Sequence, residues 1–268
     1  MDNLLLVYCS IKFLFIFAYF SVRMVKYFVD YEGDIMNLNI FFEDKYVIAV
    51  EKPQGIPVQS DKTNDEDLML HVKEYLRVKT GHEEPYLGLI HRIDRPVGGV
   101  VVFAKNKFAN SELSEQIRTN KINKKYLAVV CGKPTINELI LEDYIKKLTT
   151  INMSKISDKN DKNAKLAKLK YEVIDSIDDN EYGVLSLLNV ELYTGRHHQI
   201  RLQLSNVNLP IWGDNKYNKI FVKKKEFTNI ALWSNEYSFL HPKTNEILTV
   251  SSIPDMYPFN LFHNYIKI

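Results

Sequence analysis

Apolar runs of strand length recur along this chain with few helical stretches between them, and that spacing limits what it can fold into. Residues 46–50, 100–103, 126–130, 169–173, 184–192 and 230–233 each read as a strand, and 247–250 as a last one. Leu169, Tyr171 and Val173 point one way while Lys168, Lys170 and Glu172 point the other. Only two stretches carry a helical period. Leu68, Val72, Tyr75 and Leu76 share a face, with Asp65 or Asp67 available to cap the start and Gly81 to close the end. Ala109, Leu113 and Ile117 share another, over residues 108–119. Strands outnumber helices and do not alternate strictly with them. The expected class is therefore α+β, a mixed and mostly antiparallel central sheet with flanking helices. No composition shift divides residues 37–268, which are expected to form one domain.

Residues 1–36 break that pattern. Within them, residues 4–22 are almost continuously apolar and long enough to cross a bilayer. Lys12 near the centre costs about 2.5–3.5 kcal/mol on insertion, against roughly 0.3–0.6 returned by each Leu, Ile, Phe or Val. The opening Met1-Asp2-Asn3 has no basic side chain, which argues against a signal peptide. The expectation is a natural start at Met36 or Met24, with a membrane segment as the alternative reading of this hydrophobic extension.

Charge decides little by its total. Lys plus Arg is 35 against 33 Asp plus Glu, a formal net charge of +2. Its distribution says more: residues 151–170 hold six Lys and two Asp, and Lys121, Lys124, Lys125 and Lys223, Lys224, Lys225 form two further groups. Such groups suit a phosphate-tracking face, although each alone is the commonplace of a solvated surface. Cys9 and Cys131 are too few for a disulfide framework and match no metal-ligand spacing, which fits a reducing compartment.

The densest chemistry lies in Leu89-Ile90-His91-Arg92-Ile93-Asp94-Arg95-Pro96-Val97-Gly98-Gly99, just ahead of an apolar strand. Pro and paired Gly preclude an ordinary helix there, and glycines let a ligand or another backbone approach closely. Two readings stay open on residue types alone. Asp94 is paired structurally to Arg92 or Arg95, the commoner arrangement, or it is kept ionised by these cations as a nucleophile. The second constellation is Thr194-Gly195-Arg196-His197-His198-Gln199-Ile200-Arg201, leading into a stretch with Ile200, Leu204 and Val207 on one side. Adjacent side chains diverge on a strand or helix, so His197 and His198 are not expected to share a metal. The use expected of this segment is to set Arg201 and one histidine near an anion.

The run from His91 through Asp94 to Lys105 resembles the catalytic motif of the RluA-type pseudouridine synthases, which modify ribosomal and transfer RNA. Gly195-Arg196-His197-His198-Gln199-Ile200-Arg201-Leu202-Gln203-Leu204, then Pro210-Ile211-Trp212-Gly213-Asp214, is similar to their second motif. Lys52-Pro53-Gln54-Gly55 and Lys124-Lys125-Tyr126-Leu127-Ala128-Val129-Val130-Cys131-Gly132 resemble two more, in the same order over residues 41–254. Val97-Gly98 stands where many relatives carry Thr-Ser, and His197 where many carry Thr or Ser.

The resemblance implies a pseudouridine synthase fold and an isomerase that needs no cofactor and no metal. It implies Asp94 as the nucleophile, Arg201 as the cation pairing with it, and Tyr126 as the ring that stacks on the uracil and assists removal of the C5 proton. Arg92, His91, Arg95, Arg196, His198, Lys124 and Lys125 would contact the RNA, with Arg92 filling the gap left by a flipped-out nucleotide. The implied partner is structured RNA, ribosomal or transfer, bound by a cytoplasmic monomer with no protein partner. The alternative is a non-catalytic RNA-binding or assembly protein of the same fold. Lys52, Tyr126 and Arg196 each keep a plain packing or surface reading, a substantial one for Lys52.

Overall fold

A computed structural model describes residues 38–60, 65–224, 228–262 and 264; the extension 1–36 lies outside them. In chain order the elements are β1 (Ile40–Glu43), β2 (Val47–Lys52), α1 (Leu68–Thr80), β3 (Gly88–Leu89), β4 (Gly98–Ala104), α2 (Lys107–Arg118), β5 (Asn123–Cys131) and β6 (Glu138–Leu148). There follow β7 (Met153–Ser157), β8 (Ala164–Asp179), β9 (Gly183–Leu192), α3 (Gln199–Asn206), α4 (Lys219–Lys224), β10 (Leu232–Leu240) and β11 (Ile247–Ser251). The eleven strands form one sheet in the order β1-β2-β4-β10-β5-β9-β8-β6-β7, with β3 beside β4 and β11 beside β10. Among the described strands only β4 and β10 run parallel. The sheet is mixed and mostly antiparallel, as the strand spacing predicts. Among the described residues no helix is long and apolar enough to cross a membrane.

Local chemistry accounts for the two expected helices. The Asp67 carboxylate accepts from the Leu70 N–H at 2.8 Å to start α1, and Gly81 ends it at φ 71°. Asn106 caps α2 in the same way, accepting from the Ala109 N–H at 2.9 Å. All seven residues of β4 are buried because β2 and β10 flank it and both of its faces carry core.

Where β4 enters the sheet, glycine is required. Gly98 and Gly99 pair with Trp233 and Ser234 of β10. A Cβ on Gly98 would lie 2.1 Å from the Trp233 ring, and one on Gly99 would lie 2.2 Å from the Ser234 carbonyl oxygen at φ 112°. The close approach is to backbone and ring of the protein itself. It seats the irregular segment 90–97 against the middle of the sheet.

Two regions depart from the sequence reading. The lysine-rich stretch, whose lysines are solvated as expected, also forms the unanticipated β7 and the start of β8, paired on either side of β6. Its lysines alternate with Ile156, Ala167 and Leu169, which face inward, so a run that looks polar by composition is half-buried by geometry. Strand β6 itself went unanticipated, because exposed Ile140 and half-buried Asp143 blur its alternation. The stretch with Ile200, Leu204 and Val207 on one side is helical, as α3.

Candidate active site

Segment 90–97 is pinned by its apolar residues and by its backbone. Ile90, Ile93 and Val97 are buried, which turns Arg92 outward and leaves Asp94 at the surface of the sheet. The Val97 N–H donates to the Asp94 carbonyl at 2.9 Å, and the Gly55 N–H to the Arg95 carbonyl at 3.0 Å. Lys52 completes the clamp. Its fully buried ammonium donates to the carbonyls of Pro53 (2.8 Å), Ile56 (2.7 Å) and Arg95 (3.0 Å). Burial brings its pKa down to about 7, with Asp94 pulling the other way. Lys52 thus ties the turn after β2 to the loop that carries Asp94, which is its plain structural reading.

The second constellation arrives through α3. Gln199 accepts from the Arg196 N–H at 3.0 Å and from the Thr194 hydroxyl at 2.8 Å, closing the turn into the helix. Arg201 is buried, and its Nε and Nη2 donate to the two carboxylate oxygens of Asp214 at 2.8 and 2.7 Å. Asp214 also accepts from the N–H groups of Lys216 and Tyr217. The remaining face of the guanidinium, Nη1, stands 3.6 Å from Asp94 Oδ2. His198 Nε2 lies 3.8 Å from the same oxygen.

Asp94 is the open group of this ensemble, with 32% of its side chain exposed against 3% for Arg201. Burial in its surroundings raises its pKa above the usual carboxylate value, and Arg201 only partly offsets that. Tyr126, on β5, is buried, and its hydroxyl pKa is pushed up first by burial and then by the Asp94 charge. Arg201 and Tyr126 are therefore both within electrostatic reach of Asp94, and neither Arg92 nor Arg95 is its partner. Arg95 instead meets Asp65 at 2.7 Å. Arg92 is exposed and makes no hydrogen bond or ion pair among the described residues.

Other placements revise the sequence reading. His91, expected against RNA, turns into the core: its Nε2 accepts from the Val102 N–H at 3.0 Å and its ring stacks on Tyr237 at 4.0 Å. Burial pushes its pKa to about 3, so it stays neutral. His198 is buried as well, with Nε2 toward Asp94 at 3.8 Å and Nδ1 against the Tyr217 hydroxyl at 3.0 Å. Lys124 is half-buried, its pKa lowered by burial and by Arg196, whose Nε donates to the Leu166 carbonyl at 2.8 Å. Lys125 is paired with Glu236 at 2.9 Å.

His197 and His198 do not diverge. His198 adopts the left-handed backbone conformation (φ 53°), which folds the two rings into a stack 3.8 Å apart. His197 is held by Ser154 Oγ at 2.8 Å and Asn152 Oδ1 at 3.0 Å. Burial lowers the pKa of His197 to about 4 and of His198 to about 2, and the Arg201 charge adds to both. Among the described residues no three His, Cys, Asp or Glu side chains gather as a metal site would require. Ser154, Lys216 and Tyr217 escaped the sequence reading; Asp214 stood at the end of a quoted motif but was given no role there.

Comparison with known proteins gives the family. Residues 46–206 match the family described as RNA pseudouridylate synthase. The chain is 30% identical over 244 residues to the ribosomal large subunit pseudouridine synthase C of Buchnera aphidicola, covering 89% of this chain and 72% of that one. It is also 30% identical over 243 residues to the tRNA pseudouridine synthase C of Haemophilus ducreyi, covering 86% and 96% respectively. Human RNA pseudouridylate synthase domain containing 4 shares the fold, with a TM-score of 0.70 at 22% identity over 85% of this chain and 94% of that one.

Proposed function

The chain belongs to the RNA pseudouridylate synthase family and is an isomerase, and from that premise we propose that it converts uridine to pseudouridine in ribosomal or transfer RNA with Asp94 as the nucleophile. The observation that carries this reading is the partly exposed Asp94 carboxylate beside the buried guanidinium of Arg201. The protein around this carboxylate raises its pKa while the Arg201 guanidinium opposes that shift, which keeps the ionised form within reach for nucleophilic attack.

In this account the glycosidic bond from N1 to the ribose breaks, the uracil turns, and C5 bonds to C1′ in place of N1, its hydrogen leaving to water as a proton while N1 takes one up. No electrons, phosphate or water are consumed. The reacting atoms are hidden in a stem, so the nucleotide is flipped out at a cost of a few kcal/mol. Arg92, two residues before Asp94 and without a protein partner among the described residues, supplies a planar cation for the vacated stack. Tyr126 holds the extruded base by stacking. Its raised pKa keeps the phenol protonated, which favours that role over proton removal. Lysines such as Lys147, exposed and without an ion pair among the described residues, add affinity that does not depend on sequence and falls with salt. In this account the protein acts as a monomer on cytoplasmic RNA.

The test is pseudouridine-specific chemical mapping of total ribosomal and transfer RNA from cells with and without the gene. Signals lost at defined positions, and restored by the parent gene, are expected. An unchanged map would overturn the assignment to these RNAs.

A further inference from the structure

The hydrogen bonds around His198 fix where its proton sits. Tyr217 Oη accepts from the Ser154 backbone N–H at 2.7 Å, a direction that cannot reverse. The phenol hydrogen then has one acceptor in reach among the described residues, His198 Nδ1 at 3.0 Å. A neutral imidazole that accepts at Nδ1 carries its hydrogen on Nε2. That nitrogen is the part of His198 nearest Asp94, 3.8 Å from Oδ2. Arg201 Nη1 approaches the same oxygen at 3.6 Å. Oδ1 has no hydrogen bond to any described residue.

From this geometry we propose that His198 is a positioning residue, its tautomer set by Tyr217, whose Nε2–H and the Arg201 guanidinium together fasten Asp94 Oδ2 and leave Oδ1 facing the substrate. The proposal rests on the reading of Asp94 as the working carboxylate. Both separations exceed a hydrogen bond, and closing them by under an ångström when the base enters would orient the carboxylate without moving α3. His197, stacked on His198 and held by Ser154 and Asn152, keeps the ring plane fixed. The burial of His198 lowers its pKa, so it holds its hydrogen rather than trading it.

The experiment follows tritium release from 5-tritiated uridine in total ribosomal and transfer RNA taken from cells lacking the gene. It compares the parent with His198→Leu, His198→Gln, Tyr217→Phe and Asp94→Asn. His198→Leu is expected to lower kcat by about 10- to 100-fold with KM nearly unchanged, since misplacing a reacting group costs on that scale. His198→Gln, whose amide N–H can replace Nε2–H, should recover most of the loss, and Tyr217→Phe should fall between them. The acid limb of the pH profile should move upward in His198→Leu while the other groups acting on Asp94 (Arg201, Asp214, Lys216 and Lys52) are unaltered. Equal loss in the Leu and Gln variants, or a change confined to KM, would overturn the proposal. Full activity in His198→Leu with an inactive Asp94→Asn would remove this inference alone. An active Asp94→Asn would remove the reading beneath it.

Discussion

Arg201 grips Asp214 through two hydrogen bonds of 2.7 and 2.8 Å and offers Asp94 only a looser contact of 3.6 Å. The inequality has a physical use. Asp214 is fully buried and fixes the guanidinium in place, while the longer contact leaves Asp94 able to move onto a substrate. Removing one partner of a buried pair strands the other charge.

Asp214→Asn is accordingly expected to lower stability by roughly 3–5 kcal/mol. It should also lower the single-turnover rate by about 10- to 100-fold through a misplaced Arg201. Thermal unfolding and rapid-quench kinetics check the two effects. A variant with the parent's melting temperature and rate would show that Arg201 needs no such anchor.

Burial places the folded-state pKa of Asp94 above its ordinary value of 3.8, even with Arg201 opposing. A carboxyl group raised on folding contributes its stability below its unfolded pKa and loses it as pH climbs through the folded value. At neutral pH the ionised group therefore opposes folding. Asp94→Asn should melt at or above the parent's temperature near neutrality, with the gap closing toward about pH 4, where the unfolded carboxyl is itself protonated. Calorimetry across that range tests the sign.

The same shift governs the rate. Activity needs the carboxylate form, so kcat/KM should fall as pH drops through the Asp94 pKa, at a point above 3.8. His197 at about 4 and His198 at about 2 are neutral throughout the working range and should add no step of their own. An inflection near the ordinary histidine value of 6.5 that disappears in His197→Gln would contradict this.

Strand register sorts the lysines of β6 and β8. Lys147 shares a face with Ile145, which packs against Leu202 of α3, and its charge reaches both His197 and His198. Lys170 lies on the opposite face and is paired with Glu138 at 3.0 Å. Lys147→Glu should weaken RNA binding and reduce the salt slope by about one unit, whereas Lys170→Glu should do neither. Filter-binding titrations at several salt concentrations separate them.

Sequence carried the fold wherever local chemistry decides it. The Asp67 and Gly81 caps, the buried run of β4 and the alternation of Leu169, Tyr171 and Val173 were all visible as residue patterns. The cations around one acid drew attention to Asp94 and the second constellation to Arg201, while only the family resemblance pointed to Tyr126; the structure brings all three within electrostatic reach. Direction was not visible. Whether His91 points to solvent or onto Tyr237 depends on where β10 lies, more than a hundred residues later. The stacking of His197 on His198 depends on a single positive φ that residue spacing does not reveal. Asp214 emerges as the anchor of Arg201 only once α3 and the turn after the Ile211 bridge are brought together.

The central claim is that Asp94 carries the chemistry and not the binding. Asp94→Asn, isosteric and uncharged, is to be measured for affinity to a fragment bearing the mapped uridine and for pseudouridine formation in that same fragment. Affinity close to the parent's, with no pseudouridine formed, is the expected result. Pseudouridine formed at the parent's rate, or affinity lost as completely as activity, would contradict it.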